Sequence, residues 1–182
     1  MRNRLSYRRL TALTCLAVGC ALQSVAYAQE NKEYLVKAAF IYNFVKFVEW
    51  PGTKAIAGQS RIDICVLGNS EMMTSGNVFQ AASTAKLTLA LVQENNVKAA
   101  AEHCHVLYID DGAAVEGALR SLKGSPVLTV GDADGFVDKG GMVGFVMSDN
   151  KIKLEVNTRA VSQAGMRVDA QLLEIALRVI DK

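Results

Sequence analysis

Three short apolar runs recur through the middle of this chain: Arg61–Leu67 (RIDICVL), His105–Ile109 (HVLYI) and Pro126–Val130 (PVLTV). Each has the length of a strand, and each is apolar at nearly every position rather than at every second one. A strand of that kind is buried on both faces. A sheet covered by helices on both sides supplies such burial, so helices should fall between the runs. Helical segments are indeed expected from Met72 through Phe79, over Val97–Glu102 and over Ala113–Leu122, with a further strand at Lys86–Val92 (KLTLALV). The fold class that follows is α/β: a single domain with a mostly parallel sheet flanked by helices.

The rhythm changes near the C-terminus. Met142–Met147 and Lys151–Val156 are β runs joined by Ser148-Asp149-Asn150, a hairpin signal that predicts an antiparallel edge. Asn157 is placed to cap a short helix through Val161, which Gly165 can terminate. Ala170–Ile180 reads as a final amphipathic helix. Its stripe is Leu172, Leu173, Ala176, Leu177 and Ile180, with Glu174 and Arg178 as an i,i+4 pair.

The N-terminus reads as a leader. Arg2, Arg4, Arg8 and Arg9 precede the apolar stretch Leu10–Val25, and Ala26 and Ala28 suit cleavage before Gln29. The stretch is too short and interrupted for a comfortable spanning helix. The expected organisation is a signal peptide at 1–28 and one exported domain at 29–182. Ala17-Val18-Gly19-Cys20 is a poor lipoprotein box. Arg8-Arg9 resembles a twin-arginine signal, but nothing points to a cofactor loaded in the cytoplasm, so Sec export is preferred. Removing the leader takes four basic and no acidic residues, and 16 basic then face 18 acidic groups. The formal net charge moves from +2 to −2. That balance gives no electrostatic case for a nucleic-acid partner.

Cys15 and Cys20 leave with the leader, and Cys65 and Cys104 remain. In an oxidising compartment an even pair is a candidate disulfide. Closing a loop of roughly 40 residues would stabilise by about 4 kcal/mol in the chain-entropy picture. A thiol or metal site is the alternative, because His103 and His105 flank Cys104. In an extended segment, however, both imidazoles would share one face and Cys104 the other, and no second pair has zinc spacing, so no metal is expected.

Residues 32–50 are expected to be helical and to end at Pro51-Gly52. From Tyr34 to Trp50 only Lys37, Asn43, Lys46 and Glu49 are strongly polar. Such a helix is either deeply buried or covered by a partner on one side. Tyr34, Phe40, Phe44, Phe47 and Trp50 are the candidate partner-binding residues, with core packing as the alternative for most of them. The C-terminal helix is a second candidate surface. An exposed apolar helix surface would also favour a homodimer.

The loops beyond the strand ends hold no recognised catalytic set. Gly68-Asn69-Ser70-Glu71, Asp110-Asp111-Gly112 and Gly131-Asp132-Ala133-Asp134-Gly135 lack a Walker lysine and dinucleotide glycine spacing. Asp132-x-Asp134-Gly135 resembles a calcium loop only faintly, without the downstream Glu, and reads as a solvated turn. Asp110-Asp111 reads as a solvated pair capping the next helix, and Gly140-Gly141 as backbone freedom before a strand. No serine lies in a nucleophile elbow. No cofactor and no catalytic residue are expected.

Four blocks resemble the YfiR family. They are Tyr34-x-Val36-Lys37-Ala38-Ala39-Phe40-Ile41-Tyr42-Asn43-Phe44 ending Phe47-Val48-Glu49-Trp50-Pro51; Ile64-Cys65-Val66-Leu67-Gly68; Cys104-His105-Val106-Leu107-Tyr108-Ile109; and Gly140 to Phe145 with Leu154-Glu155-Val156-Asn157, Ala164-Gly165 and Leu172-Leu173. The resemblance implies a periplasmic regulator and not an enzyme. It implies a repressor of an inner-membrane diguanylate cyclase, bound at the cyclase's periplasmic sensor region and keeping cyclic-di-GMP and biofilm formation low. An outer-membrane peptidoglycan-binding lipoprotein would capture the repressor. Cys65 and Cys104 match the family's structurally important disulfide. A second pair known in the family has no counterpart here, since Gly131–Ile152 holds no cysteine. A periplasmic small-molecule-binding module with a pocket at the strand ends, or an accessory subunit of a different membrane sensor, is the alternative.

Overall fold

The computed structural model describes residues 32–68, 70–111 and 114–181. The signal peptide expected at 1–28, with the lipoprotein and twin-arginine readings, falls outside the described residues. By its contacts the chain divides after Glu33, and the unit Tyr34–Lys182 carries the fold.

The parallel sheet expected from the apolar runs is present. Strands β2 (Arg61–Leu67), β3 (Thr88–Glu94), β4 (Val106–Ile109), β5 (Leu128–Gly131), β6 (Val143–Ser148), β7 (Lys151–Asn157) and β9 (Ala176–Ile180) form one sheet in the order β3-β2-β4-β5-β6-β7-β9. Pairs from β3 through β6 are parallel, β6 and β7 are antiparallel, and β9 joins β7 in parallel. A helical segment separates each of the first strands: α2 (Gly76–Ala82), α3 (Val97–His103) and α4 (Val115–Leu122). Residues 32–47 are helical and form α1.

Two apolar layers lie on the two faces of the sheet. One gathers Ile41 and Phe44 of α1 and Phe79 of α2 with Ile62, Ile64, Val106, Val130 and Phe145. The other gathers Ala100 of α3 and Leu119 and Leu122 of α4 with Cys65, Leu107 and Ile109. The alternation of inward residues along β2 and β4 assigns each to its layer, which is why those strands read as unbroken apolar runs. The Ser148–Asn150 hairpin forms as expected: Asp149 and Asn150 have φ of 51° and 57°, the left-handed pair of a two-residue turn. Asn157 caps α5 (Thr158–Gln163) through Ala160 N, and Gly165, at φ 72°, follows its end.

The C-terminal helix is a correction. Helix α6 covers only Ala170–Glu174, and Ala176–Ile180 is strand β9. The hairpin is therefore not the edge; β9 is. The expected Glu174–Arg178 pair gives way to Arg178 bonding Glu155 of β7 and Asp138 at 2.7–2.9 Å. The first helix is also shorter than expected. Chain after residue 47 extends as β1 (Val48–Glu49), which pairs antiparallel with β8 (Arg167–Val168) in a separate two-stranded sheet.

Candidate functional site

Open α/β sheets bind ligands where the strand order reverses, beyond the carboxyl ends of the strands. Here that point lies between β2 and β4. Among the described residues, polar groups of the chain pair with one another there. Ser70, after β2, donates its hydroxyl to Asp110, after β4, and accepts from Met72 N. One strand over, Asp132 accepts from the Lys37 ammonium of α1 and from the Tyr108 hydroxyl. Burial, and then the Asp132 carboxylate, push the Tyr108 phenol far above its ordinary range, so it stays a donor. Lys37 is 4 % exposed and its ion pair ties α1 to the end of β5. Asp132 is thus a half-buried anchor for α1 instead of part of a solvated turn. Asp110 bonds Ser70, and α4 carries no side-chain cap at Ala114.

The aromatic residues of the first helix separate into two groups. Phe44 is fully buried and stacks on Phe145 at 6.2 Å, and Trp50 is buried with its indole N–H on His105 O at 3.3 Å. Tyr34, Phe40 and Phe47 are half-buried against the same layer. Val36, Ala39 and Lys46 are exposed on the outward face of α1, with Phe40, Asn43 and Phe47 half-buried beside them as a stripe at helical spacing. Two of the five candidate contacts therefore lie in the core and three on its rim. Sequence periodicity ranks the stripe correctly once the buried positions Ala38, Ile41, Phe44 and Val45 are known, but the run is too apolar for periodicity to show them in advance.

Cys65 and Cys104 are bonded, with Cα atoms 5.9 Å apart, and both are fully buried. The extended geometry expected for residues 103–105 does not hold. His103 is the last residue of α3, so its ring turns back toward the cystine, with Nε2 at 3.4 Å from Cys104 Sγ and 3.6 Å from Cys65 Sγ. His105 points elsewhere and accepts from Asp63 N at 3.3 Å. Burial, then the charge on Lys54, lowers the His105 pKa.

A cavity of about 440 Å³ opens at the opposite end of the sheet, below α4 and beside α5. Arg120, Lys123, Lys139 and Arg159 line it with Asn157, and the lining carboxylate Asp138 is held by Arg178. Arg178 also lowers the pKa of Asp138. The signal missed in the sequence was that these four cations, spread over 40 residues, converge on one cavity. Among the described residues no helix is long and apolar enough to cross a membrane.

Comparison with known proteins follows the fold. The profile of a family described as YfiR/HmsC-like matches residues 34–177. Among solved structures, an ABC domain in complex with L-Trp from Streptococcus pneumonia superposes with a TM-score of 0.51 at 14 % identity, over 65 % of this chain and 55 % of that one. A conserved domain protein from Vibrio cholerae O1 biovar El Tor superposes with a TM-score of 0.48 at 16 % identity, over 68 % and 56 %. This chain spans a little over half the length of each. At 14 % identity the likeness to the first of these is one of fold.

Proposed function

This chain belongs to the YfiR/HmsC-like family of periplasmic regulators, and from that premise we propose that it represses an inner-membrane diguanylate cyclase by binding its periplasmic sensor region. The family match over residues 34–177 carries the reading, and α1 supplies a surface suited to it. Repression requires only that the regulator bind the inactive cyclase more tightly than the active one. A difference of about 2.7 kcal/mol shifts the equilibrium roughly hundredfold. Aromatic groups at the centre of a polar surface deliver most of such binding energy. Half-buried Phe40 and Phe47, with exposed Val36 between Lys32 and Asn43, form that kind of patch on a helix fixed at Lys37, and Trp50 anchors the chain just beyond it. A peptidoglycan-binding lipoprotein competing for the same surface would release the cyclase.

The test is cellular cyclic-di-GMP in the native host. Deletion should raise it, and complementation should restore it. Complementation with Val36→Glu or Phe47→Ser should leave it high while the purified variants keep the parent's circular dichroism. Unchanged cyclic-di-GMP on deletion would move the partner to another class of membrane sensor.

A second reading rests on the basic cavity. A family member that senses a small anion would place it among Arg120, Lys123, Lys139 and Arg159, at the end of the sheet opposite the expected strand-end pocket. Ligand-dependent melting, abolished by Lys123→Glu, would favour it.

A further inference from the structure

Three side chains at the cystine have the composition and spacing of a metal centre. Sγ of Cys65, Sγ of Cys104 and Nε2 of His103 all lie within 4.8 Å of one another. The carboxylate Oε2 of Glu94, at the end of β3, lies 3.7 Å from the same imidazole nitrogen. Its other oxygen, Oε1, accepts from Asn95 N and Asn96 N at 2.8 Å each, which fixes the carboxylate's direction. We propose that Cys65, Cys104 and His103 form a redox-gated, three-ligand site for a thiophilic divalent cation of the zinc class, with water in its fourth position, blocked by the cystine and opened by its reduction.

The distances carry the argument. In a tetrahedral zinc centre with sulfur at about 2.3 Å and nitrogen at about 2.05 Å, the sulfur–nitrogen edge is about 3.5 Å. The two edges here are 3.4 and 3.6 Å. The one edge that must lengthen is sulfur–sulfur, to about 3.8 Å, and that is what breaking the bond permits. Two thiolates and an imidazole favour zinc over calcium or magnesium, which prefer all-oxygen shells. Glu94, fixed by its two backbone amides, stands beside the imidazole and outside the ligand set.

The chemistry balances with an external dithiol. The reductant gives two electrons and two protons to the Cys65–Cys104 bond and leaves as its own disulfide. The cation then displaces the two thiol protons, so binding strengthens as pH rises. In the metal-bound state Cys65 of β2 stays tied to Cys104, the residue after α3, as it is through the cystine.

The experiment titrates cobalt(II), then zinc, into the purified protein before and after phosphine reduction. The oxidised protein should bind none. The reduced protein should bind one equivalent, with a thiolate-to-cobalt charge-transfer band and intense tetrahedral d–d bands that zinc abolishes, and zinc should raise the melting temperature of the reduced form alone. His103→Gln, at a half-exposed position that leaves the oxidised fold intact, should weaken binding by more than about tenfold. Absence of the thiolate band overturns the proposal, as does His103→Gln binding as tightly as the parent. A reduced chain that unfolds and does not recover its native spectrum with zinc overturns it as well.

Discussion

Lys37 is the residue on which the placement of α1 turns. A lysine is seldom buried unless paired, and this one meets an aspartate 95 positions away. Nothing local in the sequence could reveal that partner, because it depends on how α1 lies across the end of β5. Lys37→Met would leave the Asp132 carboxylate buried with only the Tyr108 hydroxyl and with Oδ1 already lacking a hydrogen-bond partner. The expected cost is about 3–5 kcal/mol in urea unfolding. The double variant Lys37→Met/Asp132→Leu should lose less than Lys37→Met alone, since no uncompensated charge remains. A second residue-scale prediction concerns Gly141, read from sequence as a source of backbone freedom. The left-handed residue is Gly140, at φ 100°, whereas a Cβ on Gly141 would stand 2.2 Å from the Phe136 ring. Gly141→Ala should therefore destabilise by about 1–3 kcal/mol through overpacking, with the same unfolding measurement as the check.

Elements with strong local signals were legible, and those decided by a neighbour were not. Strands β2, β4 and β5 could be read from unbroken apolar runs, and the hairpin from Asp149-Asn150. The segment 176–180 satisfies a helical stripe equally well as a strand, because five residues hold too little periodicity to separate the two. The deciding fact is tertiary: β7 has an open side, and a strand laid there gains the ladder hydrogen bonds. Arg178 then reaches Glu155 across the pair and Asp138 beyond it. The strand leaves Leu177 and Val179 exposed, at 56 % and 42 %, which a buried amphipathic helix would not. Chemical shifts of residues 176–180 should thus be extended in character and those of 170–174 helical. Arg178→Ala should speed amide exchange in β9 while leaving β2 and β4 unchanged; faster exchange throughout the sheet would show that β9 is not held separately.

At the scale of the whole molecule, the two faces of the sheet carry different duties. The face under α1 holds the aromatic stripe and its anchors, Lys37 and Trp50, while the cystine lies on the opposite face with α3 and α4. The pairing of Cys65 with Cys104 was legible from parity, export and resemblance, but the imidazole and carboxylate beside it were not, since they converge only once α3 ends at His103. This separation makes a testable claim about what the disulfide does. Closing the 39-residue separation acts mainly by restricting the unfolded chain, so replacing both residues should cost about 4 kcal/mol. It should do so without moving α1, which touches neither cysteine in its own layer. Cys65→Ala/Cys104→Ala should accordingly show a lower urea midpoint, an unchanged slope and a native near-ultraviolet spectrum below its transition. Under the proposed repressor function, cyclic-di-GMP in cells held at a temperature where the variant is folded should stay at the level set by the parent protein. Loss of that proposed repression by a variant that is folded and equally abundant would show instead that the bond shapes the proposed partner face across the sheet.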